Sequence, residues 1–95
     1  MKLIKIAIAD DHKLFRKGLA EIIESDPTYN YQVVLEADSG NSLIEQLKKV
    51  KPDVVLLDLK MPGMDGMEAT NKIKEIHPDI RIIILSMFDL SLIHI

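Results

Sequence analysis

The stretch that most constrains this chain runs from Asp53 to Gly66 and reads DVVLLDLKMPGMDG. Its apolar run, Val54 to Leu57, is short and begins with β-branched side chains, which favours a strand buried in a parallel sheet. Pro52 supports a strand, because proline disfavours the α region for the residue before it. Asp58 ends the run, and residues 61–66 contain two breaker clusters that force a tight loop. The sequence therefore predicts a carboxylate where a buried strand opens into a loop.

Strand and helix patterns alternate along the whole chain. Strands are predicted at residues 2–9, 31–37, 54–57 and 81–86. Three amphipathic helices are also predicted. The second spans residues 40–50 with Asn41 or Ser42 as its cap. The first ends at Asp26-Pro27 and the third at Pro78, and their apolar faces are formed by Leu14, Phe15, Leu19, Ile22 and Ile23 in the first and by Met67, Thr70, Ile73 and Ile76 in the third. Short connections between such elements predict an α/β fold, with a doubly wound parallel sheet covered by helices on both faces.

Composition narrows the functional classes. A chain of 95 residues with 47% apolar content can form one domain with a modest core. The net charge of −3 provides no basic footprint for nucleic acid. The chain has no cysteine, which rules out disulfides and thiolate metal sites. The apolar segment at residues 3–9 is too short and too charged for a signal peptide or a membrane span, so we expect a cytoplasmic location and no membrane partner.

Polar residues that carry chemistry follow three of the predicted strands. Asp10 and Asp11 follow the first strand, Asp58 the third, and Ser86 ends the fourth. If the first and third strands are neighbours, three carboxylates share one pocket. Two such charges ~4 Å apart repel by roughly 1 kcal/mol in water and by ~4 kcal/mol at an effective dielectric of 20, so a cation is needed. All these ligands are hard oxygens, which favours Mg²⁺.

Each of these residues also has a structural interpretation. Asp10 or Asp11 could cap the following helix, Asp58 could form a turn, and Ser86 could be a satisfied core hydroxyl. Their joint placement at the carboxyl ends of separate strands favours the functional interpretation. His12, beside two acids, is interpreted as a surface residue at a helix start, because Mg²⁺ does not favour imidazole.

Three motifs resemble the receiver domain of bacterial two-component response regulators. They are IADDH at Ile8–His12, LLDLKMPGMDG at Leu56–Gly66 and ILS at Ile84–Ser86. The segments DDHKLFRKGL at Asp10–Leu19 and HPDIRIIILSMFD at His77–Asp89 are most similar to the NarL/FixJ subfamily. The resemblance implies a flavodoxin-like sheet of order 2-1-3-4-5, of which this chain would supply 2-1-3-4.

The resemblance also implies a site. Asp58 would accept a phosphoryl group from a phosphohistidine on a sensor histidine kinase. The carboxylates of Asp10, Asp11 and Asp58 would hold Mg²⁺, and the backbone carbonyl of Lys60 would be a further ligand. Ser86 would be the switch hydroxyl that turns toward the phosphoryl oxygens, while Pro62 and Gly66 would shape the loop.

The resemblance further implies a signalling role. Such a domain is a phosphoacceptor and not an enzyme, beyond catalysing its own phosphorylation and dephosphorylation. Its phosphorylated form is a candidate homodimer, and it would contact DNA only through a helix-turn-helix domain that is missing from this chain.

The chain departs from the family at its carboxyl end. The family carries a fifth strand with an essential lysine and two further helices, and we expect this chain to be truncated before them. Lys13 and Lys60 lie at other positions, so the lysine role is assigned to no residue. Leu90–Ile95 does not continue the pattern and is the translation of a transposase adaptor sequence used in sequencing libraries. We therefore expect a receiver at residues 1–89 and a non-native tail at 90–95.

Two rival functions remain open, and a third has less support. One is a non-signalling pseudo-receiver, which would be a pure interaction module. The three aspartates argue against this function, whereas the absence of the lysine is compatible with it. A Mg²⁺-dependent aspartyl-phosphate phosphatase would normally need a second acid two residues after its nucleophile, where this chain has Lys60. The hypothesis of nucleotide binding has less support, because no glycine-rich loop follows the first strand.

Overall fold

The computed structural model describes residues 2–85, which form four strands and three helices. The strands are β1 (Leu3–Ala9), β2 (Asn30–Ala37), β3 (Val54–Asp58) and β4 (Arg81–Leu85). The helices are α1 (Lys13–Glu24), α2 (Gly40–Gln46) and α3 (Gly66–Ile76). All strand pairs are parallel, in the order β2-β1-β3-β4. The predicted flavodoxin-like arrangement is therefore confirmed, whereas Ser86 and the predicted tail at 90–95 lie outside the described residues.

The sheet brings the carboxyl ends of β1 and β3 side by side. Ala9 pairs with Leu57, so the residues that follow each of them leave the sheet at the same edge. On the other side of β1, Ala9 pairs with Ala37 of β2. Parallel pairing places all strand ends on one edge, where ligands of open α/β sheets bind.

Two hydrophobic clusters cover the two faces of the sheet. Ile6 and Ile8 of β1 pack with Ala20 of α1 on one face, as the alternating isoleucines predict. The larger cluster, on the other face, joins Ala7, Ala9, Val55 and Leu57 of the central strands to Leu43 and Leu47 near α2 and to Ala69 and Ile73 of α3. Burial of these side chains, at about 25 cal/mol per Å² of apolar surface, is the main force that holds the helices onto the sheet.

The start and length of α2 differ from the prediction. Asn41 or Ser42 was expected to be the cap, and this is wrong: Ser39 is the N-cap, and its Oγ accepts a 3.1 Å hydrogen bond from the N–H of Ser42. Residue 40, where the helix begins, has no room for a side chain, because an added Cβ would lie only 2.8 Å from the carbonyl oxygen of Met64. The helix ends at Gln46 and not at Val50, since the next residues form turns.

The other two helices begin and end close to the predicted positions. Helix α1 has His12 as its N-cap, with no side-chain hydrogen bond capping it, so neither Asp10 nor Asp11 caps this helix. Helix α3 is capped by Asp65, whose Oδ1 accepts from the N–H of Glu68 at 2.9 Å, and it ends at Ile76 with His77 as the C-cap, just before Pro78 as predicted. Among the described helices, none has the length and apolarity needed to cross a membrane.

Candidate functional site

Asp10 and Asp58 occupy the ends of the two central strands. Asp58 is the last residue of β3, and Asp10 directly follows β1, where its N–H donates to the carbonyl oxygen of Ala37 at 3.0 Å. Both aspartates are completely buried, at 0% exposure. Buried carboxylates are rare unless they are paired or bind a cation, so this pair marks the candidate site.

Each of these two carboxylates has one satisfied and one unsatisfied oxygen. Asp10 Oδ1 accepts from the backbone N–H of His12 at 2.7 Å, and Asp58 Oδ1 accepts from the backbone N–H of Lys60 at 3.0 Å. The Oδ2 atoms of both residues are buried and lack a hydrogen-bond partner within residues 2–85. A buried oxygen without a hydrogen-bond partner destabilises the fold by about 1–3 kcal/mol, and by more when it is charged. A bound cation would offset this loss.

Asp11 and His12 complete a four-residue cluster around these oxygens. Side-chain atoms of Asp10, Asp11, His12 and Asp58 that could ligate a metal all lie within 4.8 Å of one another. His12 Nδ1 is 3.0 Å from Asp10 Oδ1 and 3.0 Å from Asp11 Oδ1. The three carboxylates thus meet as the strand pattern predicts. The interpretation of His12 as a mere surface residue is incomplete, because its ring contacts two of them.

The electrostatics of Asp58 reflect its burial. Loss of hydration raises the pKa of Asp58 above its ordinary value of 3.8, and the charges of Asp10 and Asp11 raise it further. The hydrogen bond from the Lys60 N–H and the proximity of His12 lower this pKa, but they do not cancel the effect of burial. A cation at the site would favour the ionised form of Asp58, which is the nucleophilic form.

Arg16 holds the amino end of α1 against the site and was not singled out from the sequence. Its Nη1 donates to the backbone carbonyl of Asp10 at 2.7 Å, and its Nε donates to Glu36 Oε1 at 3.0 Å. The Arg16 side chain is only 12% exposed. It therefore ties α1, the end of β1 and the end of β2 together. The sequence contains one signal of this role, which is that Arg16 lies one helical turn after the N-cap.

The loop after β3 returns to the site at Gly66. The N–H of Gly66 donates to the carbonyl oxygen of Leu59 at 2.9 Å, and Gly66 begins α3. Gly63 has a φ of +76°, a conformation that side chains other than glycine rarely adopt. Pro62 is exposed in the loop between them. The roles predicted for Pro62, Gly66 and the Lys60 carbonyl remain predictions.

A separate cavity of about 630 Å³ lies at the opposite edge of the sheet, near the amino ends of β1, β3 and β4. Polar groups at its rim pair with one another: Lys51 Nζ lies 3.7 Å from Asp79 Oδ2, and Asp53 Oδ2 accepts from the backbone N–H of Lys5 at 2.8 Å. No buried side-chain oxygen lacking a partner lines this cavity in the part of the chain that the structure describes. The carboxylate cluster is therefore the stronger candidate site.

Comparisons with known proteins agree with this fold. The family model for the response regulator receiver domain matches residues 6–92. The chain is 41% identical over 85 residues to the response regulator GacA of Pseudomonas syringae pv. syringae, which covers 90% of this chain and 39% of GacA. It is 35% identical to a solved LuxR-family two-component response regulator from Aurantimonas, with a TM-score of 0.81, covering 87% of this chain and 58% of that one.

A third relative is the isolated receiver domain of RcsB from Salmonella enterica serovar Typhimurium, solved in the presence of the phosphomimetic BeF₃⁻. It is 32% identical, with a TM-score of 0.81, and the match covers 90% of this chain and 63% of that one. The chain spans about two fifths of the length of the curated relatives that it matches.

These matches define the class of protein. The chain belongs to the response regulator receiver domain family. Its relatives include response regulators of the LuxR/NarL type, which confirms the subfamily resemblance. The match reaches residue 92 and so includes part of segment 90–95, whose non-native origin remains a prediction.

Proposed function

We propose that this chain is the phosphoacceptor of a two-component pathway, in which a sensor histidine kinase passes a phosphoryl group to Asp58 in the presence of Mg²⁺. The observation that carries the proposal is the buried Oδ2 atom of Asp58, which has no partner among the described residues and lies beside the carboxylates of Asp10 and Asp11. The domain is a signalling component and not an enzyme with a separate substrate.

The carboxylate cluster fits Mg²⁺ by the chemistry of its donors. The residues that would hold the ion are Asp10, Asp11 and Asp58, with the carbonyl of Lys60 as a backbone ligand. When bound, Mg²⁺ would neutralise charge on the carboxylates and on the transferring phosphoryl group. The two buried Oδ2 atoms, which have no partner in the described part of the chain, support a cation here, because burial without a partner is unfavourable.

Asp58 supplies the nucleophile for the transfer. One carboxylate oxygen attacks phosphorus, the bond from phosphorus to the kinase imidazole breaks, and the imidazole leaves with the bonding electron pair. The product is an acyl phosphate on Asp58 that adds strong acceptor oxygens to the site. Ser86 would respond as the switch hydroxyl, and Pro62 and Gly66 would hold the loop beside Asp58.

The relatives support the downstream part of the proposal. RcsB, a relative, has been solved with a phosphomimetic, and in other structures it is bound to promoter DNA. For this chain we propose that a DNA-binding output is supplied by a separate domain outside residues 1–95, and that phosphorylation favours a homodimer. A cytoplasmic location is consistent with these partners.

Phosphorylation measured by intact mass tests the proposal. In a version of the domain completed through the fifth strand, we expect acetyl phosphate with Mg²⁺ to add one phosphoryl group, and we expect none to be added when that version carries Asp58→Asn. A matched control is Asp38→Asn, since Asp38 also follows a strand of the sheet but is exposed. Equal labelling of the Asp58→Asn chain would contradict the assignment, and equal labelling with and without a chelator would contradict the role of Mg²⁺.

A further inference from the structure

The cavity at the amino edge of the sheet has the size of a small-molecule site. Its volume is about 630 Å³, and its walls are the starts of β1, β3 and β4 with the segments that precede β3 and β4. Pockets that bind small molecules typically measure about 300–1,000 Å³. We call it the amino-edge cavity. It shares no lining residue with the carboxylate cluster, so any ligand bound here is separate from the chemistry of Asp58.

Backbone hydrogen bonds fix the walls of the amino-edge cavity. The N–H of Asp53 donates to the carbonyl oxygen of Lys5 at 2.8 Å, and the N–H of Arg81 donates to the carbonyl oxygen of Asp53 at 3.1 Å. The carboxylate of Asp53 also accepts from the backbone N–H of Lys5 at 2.8 Å. These bonds join the starts of the three strands. The cavity is therefore formed by the sheet itself, and a ligand does not need to order it.

The lining of the amino-edge cavity is positively charged, in contrast to the chain as a whole. The chain has a net charge of −3, whereas the lining contains four cationic side chains and two carboxylates, a net charge of +2. The cations are Lys2, Lys5, Lys51 and Arg81, and the carboxylates are Asp53 and Asp79. Charge of one sign gathered in a concave surface attracts ligands of the opposite sign.

The two carboxylates of the lining already have partners, but three of the cations do not. Asp53 accepts from the backbone of Lys5, and Asp79 Oδ2 lies 3.7 Å from Lys51 Nζ. Within residues 2–85, the side chains of Lys2, Lys5 and Arg81 make no ion pair or hydrogen bond. Like charges around one cavity repel, and a bound anion would replace this repulsion with attraction.

The amino-edge cavity also offers an apolar surface. Ile4 and Val54 are half-buried in its lining, and Pro52 and Ile80 are buried behind it. A purely inorganic anion would leave this surface in contact with water. An organic anion with a compact apolar group would cover it, which contributes to binding at about 25 cal/mol per Å² of apolar surface removed from water.

We propose that the amino-edge cavity binds a small organic phosphate, namely a phosphate monoester of a compact apolar group. The guanidinium of Arg81 is a planar fork of donors that suits phosphate oxygens, and the ammonium groups of Lys2 and Lys5 add charge. A phosphate monoester carries about −1.5 to −2 charge near pH 7, which matches the charge of the lining. The apolar group lies on Ile4 and Val54.

Nuclear magnetic resonance titration of the 95-residue chain with phenyl phosphate tests the proposal. Metal-free, phosphate-free buffer keeps the probe from binding through a cation at the carboxylate cluster. We expect the amide signals of residues 2–5, 51–54 and 79–81 to shift saturably, with a dissociation constant of about 1 mM or tighter, while those of Asp10 and Asp58 stay in place. Inorganic phosphate and phenol should each bind at least about tenfold more weakly, because each lacks one half of the ligand.

Charge variants with opposite expected effects sharpen the test. Lys5→Gln and Arg81→Gln should each raise the dissociation constant of phenyl phosphate by roughly twofold to fivefold, the range for an exposed charge pair. Asp79→Asn should lower it, because this change removes a negative charge and releases Lys51 toward the ligand. Lys72→Gln on the exposed surface of α3 is the matched control and should leave it unchanged, since Lys72 lies outside the lining.

Several results would overturn the proposal. Signals that shift without saturation, or equal weakening by Lys72→Gln and Arg81→Gln, would indicate general charge attraction and no site. Phenol binding as tightly as phenyl phosphate would show an apolar pocket that does not select anions. A dissociation constant raised by Asp79→Asn would contradict the role of charge, and melting temperatures verify that each variant is folded. None of these outcomes depends on phosphorylation of Asp58, so the proposed function is tested separately.

Discussion

Gly66 lies directly against the backbone of Asp58. A Cβ atom on residue 66 would be 2.6 Å from the carbonyl oxygen of Asp58 and 2.6 Å from the Cα atom of Leu59. The first residue of α3 therefore packs against the strand end that carries Asp58. No side chain fits between the two segments unless one of them moves.

Gly66→Ala should therefore destabilise the fold and displace Asp58. We expect a loss of about 1–3 kcal/mol in the free energy of unfolding, because overpacking forces backbone shifts, together with weaker Mg²⁺ binding. Urea unfolding and calorimetric Mg²⁺ titration measure the two effects. Gly18→Ala is the matched control and should stabilise by about 0.5–1 kcal/mol, since its Cβ enters open space. Unchanged stability of Gly66→Ala would show that the contact yields easily.

The raised pKa of Asp58 predicts a specific pH dependence. Because the folded state binds the proton of Asp58 more tightly than the unfolded chain does, the contribution of Asp58 to stability is greatest at low pH. It is lost as pH rises from the ordinary value of 3.8 through the raised pKa. In chelator, Asp58→Asn should therefore become more stable than the parent as pH rises through this window. A difference in unfolding free energy that does not vary with pH would contradict the raised pKa.

Asp11→Ala should separate metal binding from folding. Asp11 makes no capping hydrogen bond, and its side chain is 32% exposed, so we expect the free energy of unfolding to change by only about 0.5 kcal/mol. Removal of a carboxylate ligand should weaken Mg²⁺ binding by roughly tenfold or more. Calorimetric titration beside urea unfolding measures both quantities. Parent-like Mg²⁺ affinity in Asp11→Ala would exclude Asp11 as a ligand.

Arg16→Met should loosen the attachment of α1 to the site. The substitution keeps most of the apolar stem but leaves the Asp10 carbonyl and Glu36 without their donor, so we expect a loss of about 1.5–3 kcal/mol in unfolding free energy. Lys17→Met is the control, because Lys17 is exposed and only 4.0 Å from Glu36. Equal melting temperatures for the two variants would show that the Arg16 bridge contributes little.

The outer edge of β4 should limit solubility of the 95-residue chain. β4 lies at one end of the sheet order, and Ile83 and Ile84 are 53% and 37% exposed. Exposed apolar edge strands promote association, and an inserted lysine opposes it. We expect Ile83→Lys to increase the concentration that remains soluble, as measured after centrifugation, whereas Lys72→Arg on α3 should leave it unchanged. An unaltered solubility limit would place the association elsewhere.

Several elements follow from local sequence patterns alone. The apolar run before Asp58 and the alternating isoleucines of β1 predict buried strands, and their order with the intervening helices predicts a parallel sheet. Once β1 and β3 are neighbours, Asp10 and Asp58 must share an edge. These features are predictable because side-chain periodicity and breaker residues act over a few residues.

The helix caps show where local patterns are insufficient. Asn41 and Ser42 are as suitable in composition as Ser39, but only Ser39 has the extended backbone that lets its Oγ accept from the third residue on. Ser39 lies between the end of β2 at Ala37 and Gly40, which packs closely against Met64. Similarly, the apolar periodicity of α1 includes Leu14 and Ile22, yet the sheet buries the other side of the helix.

By itself, the sequence determined the order of the strands and helices, the parallel sheet and the acidic residues at its carboxyl edge. Only the tertiary structure decided that Asp10 and Asp58 are fully buried, each with one oxygen that has no partner among residues 2–85, that His12 contacts two carboxylates, and that Arg16 joins the ends of β1 and β2. The physical reason is the distance along the chain over which each signal acts. Side-chain periodicity and helix-breaking residues determine the structure of neighbouring residues. Burial and hydrogen bonding instead depend on segments that are distant in sequence and meet only when the chain has folded.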